Sequence, residues 1–425
     1  MTKLSRAMAL AAVLELGIGA AISAQAAPTQ LTLLASFNGA DGLEPEAGLA
    51  AVNGVLYGTA PFGGTADNGT VFSYNVSTGA FTALARFNGT DGSAPESSLT
   101  DIGGVLYGTT ANGGLDNDGT VFAYDLGTGA LTSLASFNGT DGSSPSVGLI
   151  DVGGVLYGTA GGGGTNDDGT VFAYNPGTGA LRSLTSFNGT NGSGPDTSLT
   201  DVGGLLYGTT LYGGARGDGT VFSYDLGTGK FASLASFNGT NGSEPAAGLA
   251  DVDGTLYGTT ANGGTSNDGT VFAYSLDTGA LASLESFNGT NGSEPASTLI
   301  DVGGALYGTA SSGGLYGTAT PFGRETFGTV FAYDPSTDAF ASLASFNGTN
   351  GLLPFAGLTD VDGVLYGTTV GGGTEGDGNV FSFGPVGPIS VPEPAEWGMF
   401  GLGLVLIGGF VTLRRHSEKV DLAEP

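Results

Sequence analysis

Cysteine is absent from this 425-residue chain, and its single histidine, His416, lies close to the C-terminus. Without cysteine there are no disulfides, no thiolate nucleophiles and no Cys-based zinc sites. Everything before His416 also lacks the base of a Ser-His-Asp triad and any imidazole for a metal. Positive charge is scarce: 10 Lys and Arg face 39 Asp and Glu, a formal net charge of −29. Between the two ends the only basic residues are Arg86, Arg182, Arg216, Lys230 and Arg324. Such a surface repels phosphate backbones, which excludes nucleic acid as a partner. Cations, neutral glycans and basic protein patches remain.

Glycine is what the chain has in abundance, with 82 residues recurring at fixed offsets. A unit of about fifty residues repeats seven times between residues 37 and 383. Phe-Asn-Gly begins at Phe37, Phe87, Phe137, Phe187, Phe237, Phe287 and Phe346. Leu-Tyr-Gly-Thr places tyrosines at Tyr57, Tyr107, Tyr157, Tyr207, Tyr257, Tyr307 and Tyr366. A period of this length marks a stacked or circular array of small sheets. Periodic glycine marks turns rather than flexible linker, so the repeats form one closed unit.

Within one unit, residues 97–137, four strand-forming runs follow one another: SLTDIGG, VLYGTT, GTVFAYD and ALTSLASF. Gly103-Gly104 tolerates the positive φ of a tight hairpin, and Thr, Val, Phe and Tyr favour strands. The seventh unit stops after NVFSF, Asn379 to Phe383, without a fourth run. The missing run stands at the other terminus as LTLLASF, Leu31 to Phe37. The expected fold is therefore all-β: a seven-bladed β-propeller of four-stranded blades over 27–383, closed by an N-terminal strand. Closure leaves no open edge, whereas an open solenoid would want polar caps.

The repeat resembles the Gloeo/Verruco (GloVer) repeats of bacterial exported proteins. The carrying segments are Ser136 to Pro145, Gly154 to Thr159 and Gly169 to Tyr174, echoed in all seven units. The resemblance implies a propeller-like fold at the surface or outside the cell, and no established activity.

Both ends read as addresses. Lys3 and Arg6, an apolar stretch from Ala7 to Ile22 interrupted by Glu15, and Ala24-Gln25-Ala26 have the order of a secretory signal peptide. Signal peptidase cleavage is expected after Ala26, giving a signal peptide over 1–26. At the other end, a Pro/Gly linker over 384–390 leads to Val391-Pro392-Glu393-Pro394. An uncharged run from Trp397 to Leu413 follows, then Arg414-Arg415. Seventeen helical residues at ~1.5 Å each span about 26 Å, enough for a thin bilayer core. The arginines would hold that end, with the tail 416–425, in the cytoplasm. Residues 391–415 resemble the PEP-CTERM sorting signal of Gram-negative bacteria. That resemblance implies an exosortase-type enzyme that recognises the motif and passes an inner-membrane-anchored precursor to the envelope or extracellular matrix. The tail after Arg415 is longer than is usual for that signal.

The longer loops of each unit, such as FNGTDGSSP and TANGGLDNDG, are expected on one ring face, the candidate binding surface. DNDG (116–119), NDDG (166–169) and SNDG (266–269) look like fragments of calcium loops but lack the bidentate glutamate. Asx-type turns leading into the next strand account for them better, so no cofactor is expected, with calcium as the weaker alternative. Asn-Gly-Thr triplets beginning with Asn88 match the glycosylation sequon, and turn chemistry explains those too. The recurrent tyrosines and phenylalanines read as core between blades rather than sugar platforms. Departures from symmetry are Glu44, Glu46, Glu96, Asp196, Glu244 and Glu294 beside the loop proline, and Tyr212 and Arg216 in unit four. Unit six adds nine residues that duplicate Leu306–Gly314 as Leu315–Gly323. Near-identical blades favour a non-catalytic protein that binds or scaffolds polysaccharide or an envelope protein. The alternative is a glycosidase or lyase with a carboxylate pair.

Overall fold

The computed structural model describes residues 30–314, 318–320, 323–325 and 327–386. The expected signal peptide (1–26) and sorting segment with its apolar run (391–415) lie outside the described residues, as does the tail (416–425). Among the described residues no helix is long and apolar enough to cross a membrane.

Each GTVF run becomes a strand buried at nearly every position, as Thr70–Asn75 is. Only a sheet covered on both faces buries successive residues that way, because side chains alternate across it. The covering comes from identical neighbours. In the first blade Ala50–Val52, Val55–Ala60, Thr70–Asn75 and Phe81–Arg86 pair in that order, antiparallel throughout. Five more blades repeat the pattern. The last consists of Thr359–Val361, Val364–Thr369 and Asn379–Gly384, completed by Gln30–Ser36 from the other end of the chain. The short innermost strands of neighbouring blades touch in an unbroken cycle that includes the first and last. The ring is closed, as expected from the sequence.

The N-terminal strand is equivalent to the outer strands it replaces. Leu31 pairs with Phe383 and Leu33 with Phe381, and Leu34 is then skipped by a bulge. Leu134, Leu184 and Leu234 are skipped at the same place in their blades. A bulge re-aims a side chain. Here Leu34, Leu134, Leu184 and Leu234 pack against the core of the following blade. Phe of each Phe-Asn-Gly then slides under that blade, edge-on to the Phe of its GTVF run. Phe87 and Phe122 lie 5.0 Å apart at 78°. The glycine of Leu-Tyr-Gly-Thr makes room for this ring: a Cβ on Gly108 would sit 2.7 Å from Phe122 Cζ. Two landmarks of the repeat are thus the two sides of one packing contact.

First and last repeats are also joined by side chains, Thr359 Oγ1 donating to the Leu49 carbonyl at 2.6 Å and Thr368 Oγ1 to that of Ala47 at 3.2 Å. The folded unit runs slightly past the expected end at 383: Val386 N donates to the Gly363 carbonyl at 2.9 Å. Its side chain packs on the last blade's core, so the first residues of the expected linker belong to the propeller. The duplicated residues of unit six leave the blade sheet undisturbed. Ala305–Ala310 still pairs with Thr329–Asp334, while Thr318–Thr320 and Gly323–Glu325 form a separate hairpin.

Candidate functional site: an axial cavity

The two longer loops of each blade do share one face. Ser93 and Asn112 exchange backbone hydrogen bonds of 2.9 and 3.0 Å, and Ser143 and Gly162 do the same. Most polar groups on this face are spent on the loops themselves. Asn117, Asp167 and Asn267 sit at φ of 64°, 62° and 61°. Their Oδ1 atoms accept from the amides of Gly113, Gly163 and Gly263 at 3.1, 2.9 and 3.1 Å. These side chains satisfy local turn amides, as expected, but they reach back four residues rather than forward as an Asx turn does. Asn88 Oδ1 likewise accepts from the amide and hydroxyl of Thr90, at 2.9 and 2.7 Å, so the sequon asparagines build turns. Tyr157, Tyr207, Tyr307 and Tyr366 are buried between blades, as core aromatics. Tyr212 and Arg216 are exposed on the loop face.

The acids beside the loop proline separate into two sets. Glu44, Glu244 and Glu294 precede it in left-handed backbone, at φ of 56°, 54° and 53°. Their amides bind the previous blade, at Asp377, Asp218 and Asp268 carbonyls. Glu244 Oε2 also accepts from Asn262 Nδ2 at 2.8 Å, and Glu294 Oε2 from Ser312 Oγ at 3.3 Å. This set brackets loops together.

The residue after the proline points elsewhere. Glu46, Glu96, Ser146, Asp196, Ala246, Ala296 and Phe355, one from each blade, line a cavity of about 490 Å³ on the ring axis. Below them Ser98, Ser198 and Thr298 alternate with Gly48, Gly148, Gly248 and Gly357 in the same cavity. The alternation is steric, since a Cβ on Gly148 would collide with Ser98 Oγ. The upper ring breaks the seven-fold symmetry into an acidic arc over the first four blades and an apolar arc over the last three.

Electrostatics in the acidic arc are unfavourable to charge. Burial, then Glu46 and Asp196, push the Glu96 carboxyl up to about 7. Burial, then Glu44 and Asp196, raise Glu46. Burial raises Asp196, partly offset by the Ser146 hydroxyl, which donates to its Oδ1. Among the described residues the carboxylates of Glu46 and Glu96 have no ion-pair or hydrogen-bond partner. Nor is any group of three or more acidic side chains placed to hold a metal ion among them. Sequence reading found Glu46, Glu96 and Asp196 as departures but missed Ser146, Ala246, Ala296 and Phe355. The signal was present in the residue immediately after the proline, which differs from blade to blade.

The Gloeobacter/Verrucomicrobia repeat matches the chain over residues 15–216, 153–315 and 203–391. No curated protein matches it. Among solved structures, one similar fold is the extracellular domain of a protein named as a one-component system from B. thetaiotaomicron. It is 13% identical, with a TM-score of 0.53, over 83% of this chain and 40% of that one. A second, an extracellular domain named for a hybrid two-component system of the same organism, is 14% identical with a TM-score of 0.53, over 83% and 39% of the two chains. The chain thus spans about two fifths of those proteins. A Bacteroides uniformis protein named as a 6-phosphogluconolactonase is 17% identical, with a TM-score of 0.51, over 74% of this chain and 88% of its own. At these identities the likeness is one of fold.

Proposed function

The chain belongs to the Gloeobacter/Verrucomicrobia repeat family, and from that premise we propose that it is an exported, non-catalytic propeller of the cell surface or extracellular matrix that binds or scaffolds matrix material. One observation carries the binding half. Asn and Asp side chains of the loops, such as Asn117, Asp167 and Asn88, are engaged in turns, whereas the axial ring departs from symmetry and holds half-buried carboxyls without partners among the described residues. Binding energy rather than fold accounts for such groups, since burying them alone is costly. The export half rests on the terminal segments: Ala24 and Ala26 for signal peptidase, Val391 to Pro394 for an exosortase-type enzyme, Arg414-Arg415 as the membrane stop. Its test is replacement of Pro392-Glu393-Pro394 by alanines. The protein should then accumulate in the inner membrane as an unprocessed precursor, because the apolar run from Trp397 still inserts. A normally trimmed product from that variant would exclude exosortase-type recognition.

A second reading, a polysaccharide hydrolase or lyase, is favoured by Glu96 itself. A carboxyl near 7 suits a general acid, and glycosidases set a second carboxylate roughly 5–10 Å away. Under the binding reading, polysaccharides incubated with the protein are not cut. Turnover that Glu96→Gln lowers by about 10²-fold or more, with the fold intact, would establish the enzyme instead.

A further inference from the structure

We infer that the axial cavity takes a single organic ammonium ion of about the size of a pyranose ring, its charge on the acidic arc and its apolar flank on Ala246, Ala296 and Phe355. This deepens the binding reading above and rests on it.

Three features of the cavity select that chemistry. Its volume, about 490 Å³, falls within the usual ~300–1,000 Å³ of small-ligand sites and exceeds what a bare ion fills. No Lys or Arg is among its lining residues, so phosphates, uronates and other anions meet only like charge. Its two arcs differ: a metal ion or a polyol would use the acidic arc and leave Phe355 idle, whereas a hydrocarbon would leave the carboxyls unpaired. An ammonium group on a compact ring engages both. The half-buried Phe355 side chain lines the same cavity, where an aromatic ring packs C–H groups and its quadrupole attracts a nearby cation. The carboxyls of Glu46 and Glu96, unpartnered among the described residues, accept N–H donors, and Ser146 holds Asp196 in place beside them. Below, the hydroxyls of Ser98 and Ser198 add acceptors and donors for a ring hydroxyl.

Charge relief ties the site to pH. The groups facing Glu96 are Glu46 and Asp196, both carboxyls raised by burial, so no fixed cation competes with the ligand. The ligand binds the ionised form and must displace the Glu96 proton. Affinity therefore rises with pH until that carboxyl is fully ionised.

The test uses the purified full chain and three probes of one shape: cyclohexylammonium, cyclohexanol and cyclohexanecarboxylate, with Ca²⁺ as a fourth. Calorimetric titration at pH 6 and pH 8 should show cyclohexylammonium binding, tightening roughly tenfold over that interval, as a group titrating near 7 requires. The amine itself stays protonated, as a lysine does. Cyclohexanol should bind at least about tenfold more weakly, and the carboxylate not at all. Glu96→Gln should weaken the ammonium and flatten its pH dependence. Phe355→Ala should weaken it without changing that dependence, with thermal unfolding confirming that each variant folds. Equal binding of alcohol and ammonium, preference for Ca²⁺, or no binding of any probe would overturn the ligand class. None of those outcomes touches the processing or turnover experiments, so failure here is distinct from failure of the proposed function.

Discussion

Deleting Gln30–Ser36 should lower the unfolding midpoint of the propeller by roughly 5 °C or more. The strand pairs over its whole length with Asn379–Gly384. Leu31 packs on the core of the last blade, and Leu34 with Ala35 on that of the first. Fully burying a leucine contributes about 1.5–3 kcal/mol, so the half-buried Leu31, Leu33 and Leu34 with a ladder of hydrogen bonds amount to about 4 kcal/mol. At about 2 cal/mol/K per residue, a domain of this length loses roughly 5 °C for that free energy. The exposed edge of Asn379–Gly384 would also recruit other chains, so the truncated protein should aggregate on heating. Phe37 is retained deliberately, because its buried ring meets Phe72 at 4.9 Å and belongs to the first blade's core. Excising the duplicated residues 315–323 of unit six serves as the control and should change stability by about 1 kcal/mol or less, since Ala305–Ala310 pairs directly with Thr329–Asp334. An unchanged midpoint in the deletion would show that the ring is held by the inner strands alone.

The closing strand was legible because it repeats the pattern of its six counterparts, down to the leucine that the bulge skips. Four strands per blade followed from glycine pairs and β-branched runs, which are local signals. The cavity is not local. Glu46 and Asp196 lie 150 residues apart in the chain and meet only because seven blades converge on one axis. Near-identical blades still allow an asymmetric axial ring, since a residue per repeat that differs between blades suffices to build one. The neighbouring acids Glu44 and Glu46 flank Pro45 and look interchangeable in sequence. Backbone geometry separates them, with Glu44 in left-handed backbone at φ 56° and Glu46 lining the axis. The Asn/Asp turns were readable for the opposite reason: their partners are amides only four residues away.

The second large effect is an inverted dependence of stability on pH. Glu96 has a folded value of about 7 against 4.5 for the free side chain. Between those values the folded protein binds more protons than the unfolded chain, so stability falls as pH rises, and the loss is complete above about 7. Glu46 and Asp196 are raised as well and act in the same direction. A tenfold difference in proton affinity between the folded and unfolded states is worth about 1.4 kcal/mol, and partial solvation of Glu96 roughly halves the total, leaving about 1–2 kcal/mol from that residue alone. An opposing set operates at lower pH. Turn amides and hydroxyls hold Asp125, Asp225 and Asp334 below the usual carboxylate range, so their stabilisation disappears as these groups protonate. The stability maximum should therefore lie near pH 4–5 rather than at neutrality. Thermal unfolding from pH 3.5 to 8.5 reads it directly. The net charge of −29 favours the same direction through general repulsion. At 1 M salt the screening length shrinks to about 3 Å, which suppresses that contribution and leaves the half-buried cavity carboxyls. Under those conditions Glu96→Gln should raise the midpoint at pH 8, leave it unchanged at pH 4.5, and flatten the curve between. A wild-type midpoint that climbs steadily from pH 5 to 8 in high salt would mean that the axial carboxyls are solvated and charged, and that water rather than a waiting ligand site occupies the ring.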